Sequence, residues 1–298
     1  MAIYDTMTTN NAINLECMND MTTAQQEQLT TQLNWINDNI PDGANLVYVY
    51  IAGSYAHGLF TENSDIDMRA VVLESPENIL KQYEEPVLRN ADIDCTVYTL
   101  KKYIEMIHKG GQVVMESLDM PHECILLKEP IIDELIANRT LFYSKRNIRT
   151  CLKTAENQLT KQTLRKIKNM NDKNEVQDAI KHVSKATAEG IRLINIADYI
   201  MVNNEFPAHI PDDNLLDNLD KIRSGSYVSI NEKTKTISMN TELIQYAKQL
   251  MKTTDAKLQS YSDMPDNITD EAKASSDSLL IKANMLSIAH SEYMLSQN

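Results

Sequence analysis

Two short stretches hold the residues best suited to chemistry. The first is Ala52-Gly53-Ser54-Tyr55-Ala56-His57-Gly58, and the second is Asn63-Ser64-Asp65-Ile66-Asp67-Met68-Arg69, with ten residues between Ser54 and Asp65. Glycine is scarce here, seven in 298 residues, so two within one turn require a backbone reason. A glycine at the end of a strand lets the chain approach a phosphate closely, and a following helical turn offers free N–H groups to an anion. The Ser54 hydroxyl can donate to a terminal phosphate oxygen. Asp65 and Asp67 alternate across Ile66 on an expected strand, so both carboxylates project to one face. Two carboxylates at that spacing suit one or two magnesium ions, or manganese in their place, bridged by triphosphate oxygens.

The parts are weak separately. Asp-x-Asp is common on loops and edge strands, and Gly225-Ser226-Tyr227 repeats the glycine-serine-tyrosine triplet with no acidic pair behind it. The order strand, Gly-Ser turn, spacer, then Asp-x-Asp opening a hydrophobic strand is far more specific.

In that order the chain resembles the polymerase-β-like nucleotidyltransferase superfamily. It is most similar to a bacterial and phage branch of nucleotidyltransferases with Gly-Ser-x-Ala-x-Gly followed by Ser-Asp-x-Asp-x-Arg. The matching residues are Gly53, Ser54, Ala56, Gly58, Ser64, Asp65, Asp67 and Arg69. Fainter similarity extends through Asp94 to Leu118 and the helix around Lys181 to Leu193. Tyr55 departs from the branch, which often carries Arg there, and so removes one phosphate contact. The resemblance implies an enzyme that moves a nucleoside monophosphate from a nucleoside triphosphate to a hydroxyl, releasing pyrophosphate. It also implies a third carboxylate on a neighbouring strand. Asp92 and Asp94 share a strand face in this reading, and Asp94 is preferred because it lies deeper in the run Ile93-Asp94-Cys95-Thr96-Val97. The expected catalytic and metal-binding set is therefore Asp65, Asp67 and Asp94, with Gly53, Ser54, Arg69, Lys181 and Lys185 on the nucleotide.

Other residues keep two readings. His57 could touch the triphosphate or stabilise its turn. Arg69 could contact phosphate or pair with Asp67. Glu116 matches an acidic position of the branch but reads as a helix-surface or capping residue. Lys181, Lys185 and Arg192 fall on one side of a helix, opposite Val176, Ile180, Val183, Ile191 and Ile194. That stripe could hold triphosphate or acceptor, or be the solvated back of a packed helix.

The elements that must position these residues follow from periodicity. A helix is expected over Thr22 to Ile40, strands over Leu46–Ile51, Ile66–Leu73 and Ile93–Leu100, a helix over Leu100–His108, a further turn or two near Val113–Leu118, and a strand near Cys124–Leu127. From about Leu141 helical spacing takes over: Lys145–Lys168, Asn174–Val202, Asp213–Arg223, Thr241–Tyr261 and Thr269–Leu295. The expected class is α+β. An N-terminal α/β nucleotidyltransferase domain with a small mixed sheet (1–140) precedes an all-helical C-terminal domain (141–298).

Composition sets the setting. Ordinary hydrophobic content, a mean hydropathy of -0.39 and no long apolar run exclude a transmembrane helix, and Met1-Ala2-Ile3-Tyr4-Asp5 lacks a secretory signal pattern. Cys17, Cys95, Cys124 and Cys151 are scattered without a C-x-x-C pair, so buried free thiols in a reducing, cytoplasmic setting are expected. The fifteen methionines read as core filling. A net charge of -13 disfavours a surface that coats nucleic acid indiscriminately. Between Ser144 and Lys185, however, eleven Lys and Arg stand against four acids, which could guide a phosphate-bearing ligand or form a solvated helix face. RNA, a protein side chain and a small molecule such as an aminoglycoside are all open as acceptor. A catalytically silent nucleotide-binding module is the alternative from another class, disfavoured because the carboxylates are kept. A nucleic-acid scaffold would need aromatics among the basic residues, and 144–185 has none.

Overall fold

The computed structural model describes residues 13–83 and 87–296, with side chains to residue 289. The chain divides into two compact units, residues 1–142 with 268–298, and 143–267.

The first unit holds α1 (Thr23–Asn39), β1 (Asn45–Ala52), a single turn α2 (Gly53–Ala56), β2 (Asp67–Leu73), α3 (Pro76–Lys81), β3 (Leu88–Asn90), β4 (Cys95–Thr99), α4 (Leu100–His108), α5 (Gln112–Ser117), β5 (Ile125–Lys128) and α6 (Pro130–Ala137). Its strands form one mixed sheet in the order β3-β4-β2-β1-β5, in which β2 and β4 are parallel and the other neighbours antiparallel. Burial alternates along β2: Ile66, Met68 and Ala70 are buried, while Asp65, Asp67 and Arg69 turn to the other face. The inward set packs with Val49, Ile51 and Val97 against Leu29, Leu33 and Ile36 of α1. A two-residue period on the strand thus meets a helical period on α1, and this match sorts core from site.

The second unit holds α7 (Lys145–Lys161), β6 (Leu164–Lys166), α8 (Lys173–Asn203), α9 (Asp213–Arg223), β7 (Val228–Asn231), β8 (Thr236–Met239) and α10 (Thr241–Ser260). The helix expected over Lys145–Lys168 therefore stops at Lys161. The unit expected to be all-helical carries a small antiparallel sheet, β6-β8-β7, because Leu164–Lys166 finds its partner some seventy residues further on. Here α8 is the central element, and its second half is buried nearly all round. It approaches α7 at Gly190, where an added Cβ would lie 2.7 Å from Leu159 Cγ. The N–H groups of Lys145 and Arg146 donate to the carbonyls of Pro265 and Asp266 at 2.9 and 3.1 Å. Arg149 pairs with Asp266 beside them at 2.9 Å.

The last helix, α11 (Asp270–Ser296), belongs to the first unit and not to the second, where the division at 141–298 had put it. It packs on α3, α4 and α6. His108 Nε2 lies 2.7 Å from Ser276 Oγ, and Lys282 pairs with Glu134. Among the described residues no helix is long and apolar enough to cross a membrane.

All four cysteines are free and buried. Burial pushes the Cys17 thiol up to about 11 and those of Cys95 and Cys124 up to about 12. Thiolate is the reactive form, so native protein at pH 8 should resist alkylation by iodoacetamide at these sites until denaturant is added. Gly190→Ala should lower stability by about 1–3 kcal/mol in urea unfolding. Helix propensity alone predicts the opposite sign, a gain of about 1 kcal/mol.

Candidate active site

The turn after β1 is shaped by Gly53. Its φ of +64° is a conformation that L side chains rarely adopt, and an added Cβ would lie 3.0 Å from Asp67 Oδ2. Glycine is thus required twice, for the turn and for the carboxylate lying against it. The register explains the approach, since Ala52 at the end of β1 pairs with Asp67 at the start of β2. The Gly-Ser turn and the acidic pair, separate in sequence, are one place in the fold. The first N–H groups of the single-turn helix α2 have no acceptors within it, and Ser54 is only partly buried.

Tyr55, where the branch often carries Arg, is engaged with the core. Its hydroxyl donates to the Cys17 carbonyl at 3.3 Å, and its ring packs edge-on against Phe60. It anchors the turn to the core.

Asp65 lies just before β2, which starts at Asp67 rather than Ile66. Its loop is held by α1. Gln25 Nε2 donates to the carbonyls of Thr61, Glu62 and Ser64 at 3.0, 3.2 and 2.9 Å. Gln28 exchanges two bonds with the backbone of Ile66, donating to its carbonyl and accepting from its N–H, both at 3.2 Å. Gln32 donates to the carbonyls of Ile66 and Ile93. Positions 25, 28 and 32 share one helix face, so α1 presents a column of amides to two loops. Ser64 closes the same loop, its hydroxyl accepting from Thr61 N–H at 3.0 Å.

Asp92 and Asp94 do not share a strand face. They lie in the turn between β3 and β4, because Leu88–Asn90 pairs back on Cys95–Val97 and the strand starts only at Cys95. Asp94 has φ +47°, and its carbonyl accepts from Met68 N–H at 3.0 Å. Its backbone is therefore joined to that of β2 next to Asp67. Asp92 lies further out, its N–H donating to Asn90 Oδ1.

Arg69 pairs with Asp67 at 3.1 Å and donates to the Tyr98 hydroxyl at 3.2 Å. Burial opposes its charge, but Asp67, Tyr50 and Tyr98 outweigh that and hold the guanidinium above its ordinary value. It is a fixed positive charge on Asp67.

Glu116 is not a helix-surface residue. It is 7% exposed, accepts from Gln112 at 3.2 Å and lies 3.7 Å from His57 Nε2. The neighbouring Ser117 accepts the Tyr48 hydroxyl through its carbonyl, which puts α5 over the Tyr48–Tyr50 face of β1. Tyr50 pairs with Arg69, so this is the face of the acidic pair. Nothing local in Gln112–Ser117 signals the burial of Glu116.

Lys181 and Lys185 lie in the second unit, exposed on α8. Arg192, expected in their stripe, is fully buried and bonded to Glu189 at 2.8 and 2.9 Å. The stripe ends before it because α8 passes into the interior there.

The donor set at Asp65 and Asp67 is hard oxygen, the chemistry that Mg²⁺ or Mn²⁺ takes. Among the described residues no three His, Cys, Asp or Glu side chains are grouped to hold an ion by themselves. Magnesium ordinarily uses one or two carboxylates plus substrate phosphates, a requirement these two residues meet.

Residues 21–281 match the family described as RlaP, the RNA repair pathway DNA polymerase beta family. The chain belongs to this family. It is a polymerase-β-like nucleotidyltransferase, and the matched span includes both the Gly53–Asp67 site and all of the second unit. No curated protein matches the chain.

Gly53→Ala should cut nucleotidyl transfer at least a hundredfold, because the turn and Asp67 cannot both keep their places. Gln25→Leu, which leaves three loop carbonyls without their donor, should cost about 1–3 kcal/mol in urea unfolding and slow transfer as well.

Proposed function

We propose that the enzyme transfers a nucleoside monophosphate from a nucleoside triphosphate to an RNA hydroxyl, dependent on Mg²⁺ or Mn²⁺. The observation that carries this reading is the contact of Gly53 with Asp67, which joins a phosphate-binding turn to a carboxylate. The RNA repair description of the matched family and the basic segment 144–185 support RNA as the acceptor.

In this reading the N–H groups after Gly53 and the Ser54 hydroxyl bind the terminal phosphates. Asp65 and Asp67 would hold the divalent ions, two in number, with Asp94 as the third carboxylate. Such ions, when bound, neutralise charge on the attacking and departing oxygens. Asp94 takes the proton of the acceptor hydroxyl. That oxygen bonds to the α-phosphorus as the bond to pyrophosphate breaks, in line. Arg69 keeps Asp67 oriented, and His57 with Glu116 braces the far end of the turn. Lys181 and Lys185 are assigned to phosphate groups of nucleotide or acceptor.

Each α-³²P-labelled triphosphate, incubated with Mg²⁺ or Mn²⁺ and total RNA or cell extract, tests the reading. Label should move to RNA, and Asp65→Asn or Asp67→Asn should reduce transfer at least a thousandfold without unfolding the protein. Chelation by EDTA should abolish transfer, and added metal should restore it. Absence of transfer together with absence of metal-dependent triphosphate binding would overturn the proposal. Label on protein or on a small molecule would reassign the acceptor.

A further inference from the structure

We propose that the small sheet of the second unit is a landing surface for single-stranded RNA, a proposal that rests on the RNA-acceptor reading above. In β6, Leu164 and Lys166 pair with Ser238 and Thr236 of β8, while the intervening Ile237 is buried against Ile167 and Val183. By strand parity Leu164 and Lys166 share the opposite, open face. Along β7, Ser229 and Asn231 pair with the same Ser238 and Thr236, so that face is polar across its width.

Cations gather at one end of it. Lys235 Nζ donates to the Lys168 carbonyl at 3.3 Å, and Ile167 N–H donates to the Lys235 carbonyl at 2.8 Å. The β7–β8 hairpin thus sets Lys233 and Lys235 beside Lys166 and Lys168. Arg165, opposite Ile237, lies on the other face, its guanidinium 2.9 Å from the His182 ring. The four lysines are exposed, and none pairs with a described carboxylate. Elsewhere in this unit Arg149, Arg192 and Lys257 have Asp266, Glu189 and Asp198 as partners. Two nearby acids are engaged by backbone N–H groups, and Glu232 is exposed beside Lys233 in the hairpin. Glu175 accepts from the N–H groups of Lys168 and Asn169, and Asp172 caps α8. A concentration of unneutralised cations in a chain of net charge -13 calls for a polyanion.

The basic segment 144–185 lacks aromatics, but the fold supplies one. Tyr227, just before β7, is 40% exposed, and Leu164, on the same face as Lys166, is 53% exposed. Lysines for phosphates with an exposed ring and aliphatic surface for bases are the components of a sequence-tolerant single-strand site.

The test is fluorescence anisotropy with the full chain, no triphosphate, and a short fluorescein-labelled single-stranded RNA, with DNA of the same sequence and duplex RNA as further arms. Each neutralised phosphate contributes a salt slope of about -0.7, so four contacts give about -2.8 and roughly a fiftyfold loss of affinity between 50 and 200 mM salt. Lys166→Ala/Lys168→Ala/Lys235→Ala should weaken binding at least tenfold and bring the slope near about -0.7, one contact remaining. Tyr227→Ala should weaken binding roughly tenfold with the slope unchanged. Lys221→Ala/Lys248→Ala/Lys252→Ala, on α9 and α10, is the charge-matched control, and Lys→Gln versions with circular dichroism and melting curves exclude unfolding. A wild-type slope in the triple variant, a loss no larger than the control's, or equal affinity for DNA or duplex overturns the proposal. Binding that persists while the wild type transfers no label supports the surface and counts against the transfer reading alone. Transfer to RNA with an unchanged KM in the triple variant overturns the surface and leaves that reading standing.

Discussion

The column of amides on α1 is the interaction on which the site depends. Loop backbone rich in carbonyls has to satisfy them with something, and water at a site is a mobile partner. Gln25, Gln28 and Gln32 satisfy them instead with donors on a rigid, well-packed helix, capped at Thr22 by a reciprocal bond with Gln25 itself. Gln25 and Gln32 are 4% and 0% exposed, so their bonds form where water competes little. The apolar side of the same helix packs on the inner face of β1 and β2. One helix therefore sets both the position of the strands and the path of the loop that brings Asp65 to its place.

What could be read beforehand was local. The strand before Gly53, the strand after Asp67, the α4 helix and the ends of α9 are periodic and well punctuated, and they stand where periodicity put them. So does the kinship to nucleotidyltransferases, because a turn that accepts only glycine and an acid packed against it cannot vary independently. What escaped was non-local. Glutamines on an amphipathic helix look like solvent-facing residues until the loop they serve is in place. Glu116 sits in a short apolar helix whose burial is decided by Tyr48 and Tyr103, both distant in sequence. Strands of three or four residues, such as β3 and β6, leave too few alternations to be told from a turn or a helix end.

Two misreadings have the same origin. With Asp92 and Asp94 read as strand residues, parity could not separate them and depth in the run favoured Asp94, whereas the unseen β3 turns the chain back and gives Asp94 a backbone bond to β2. Grouping Arg192 with Lys181 and Lys185 followed angle around the helix and ignored position along it. A helix 31 residues long can leave the surface part-way, and α8 does.

The bonds that join Lys145 and Arg146 to Pro265 and Asp266 have a topological meaning. The second unit leaves and re-enters the chain through one clasp, with the first unit's sheet before it and α11 after it. It is built as an insertion, a form that tolerates exchange because its two ends are already side by side. The inserted body is free to vary without disturbing the sheet of the first unit. By the same geometry, a short linker from residue 142 to 268 would define a minimal core that keeps that sheet together with α11.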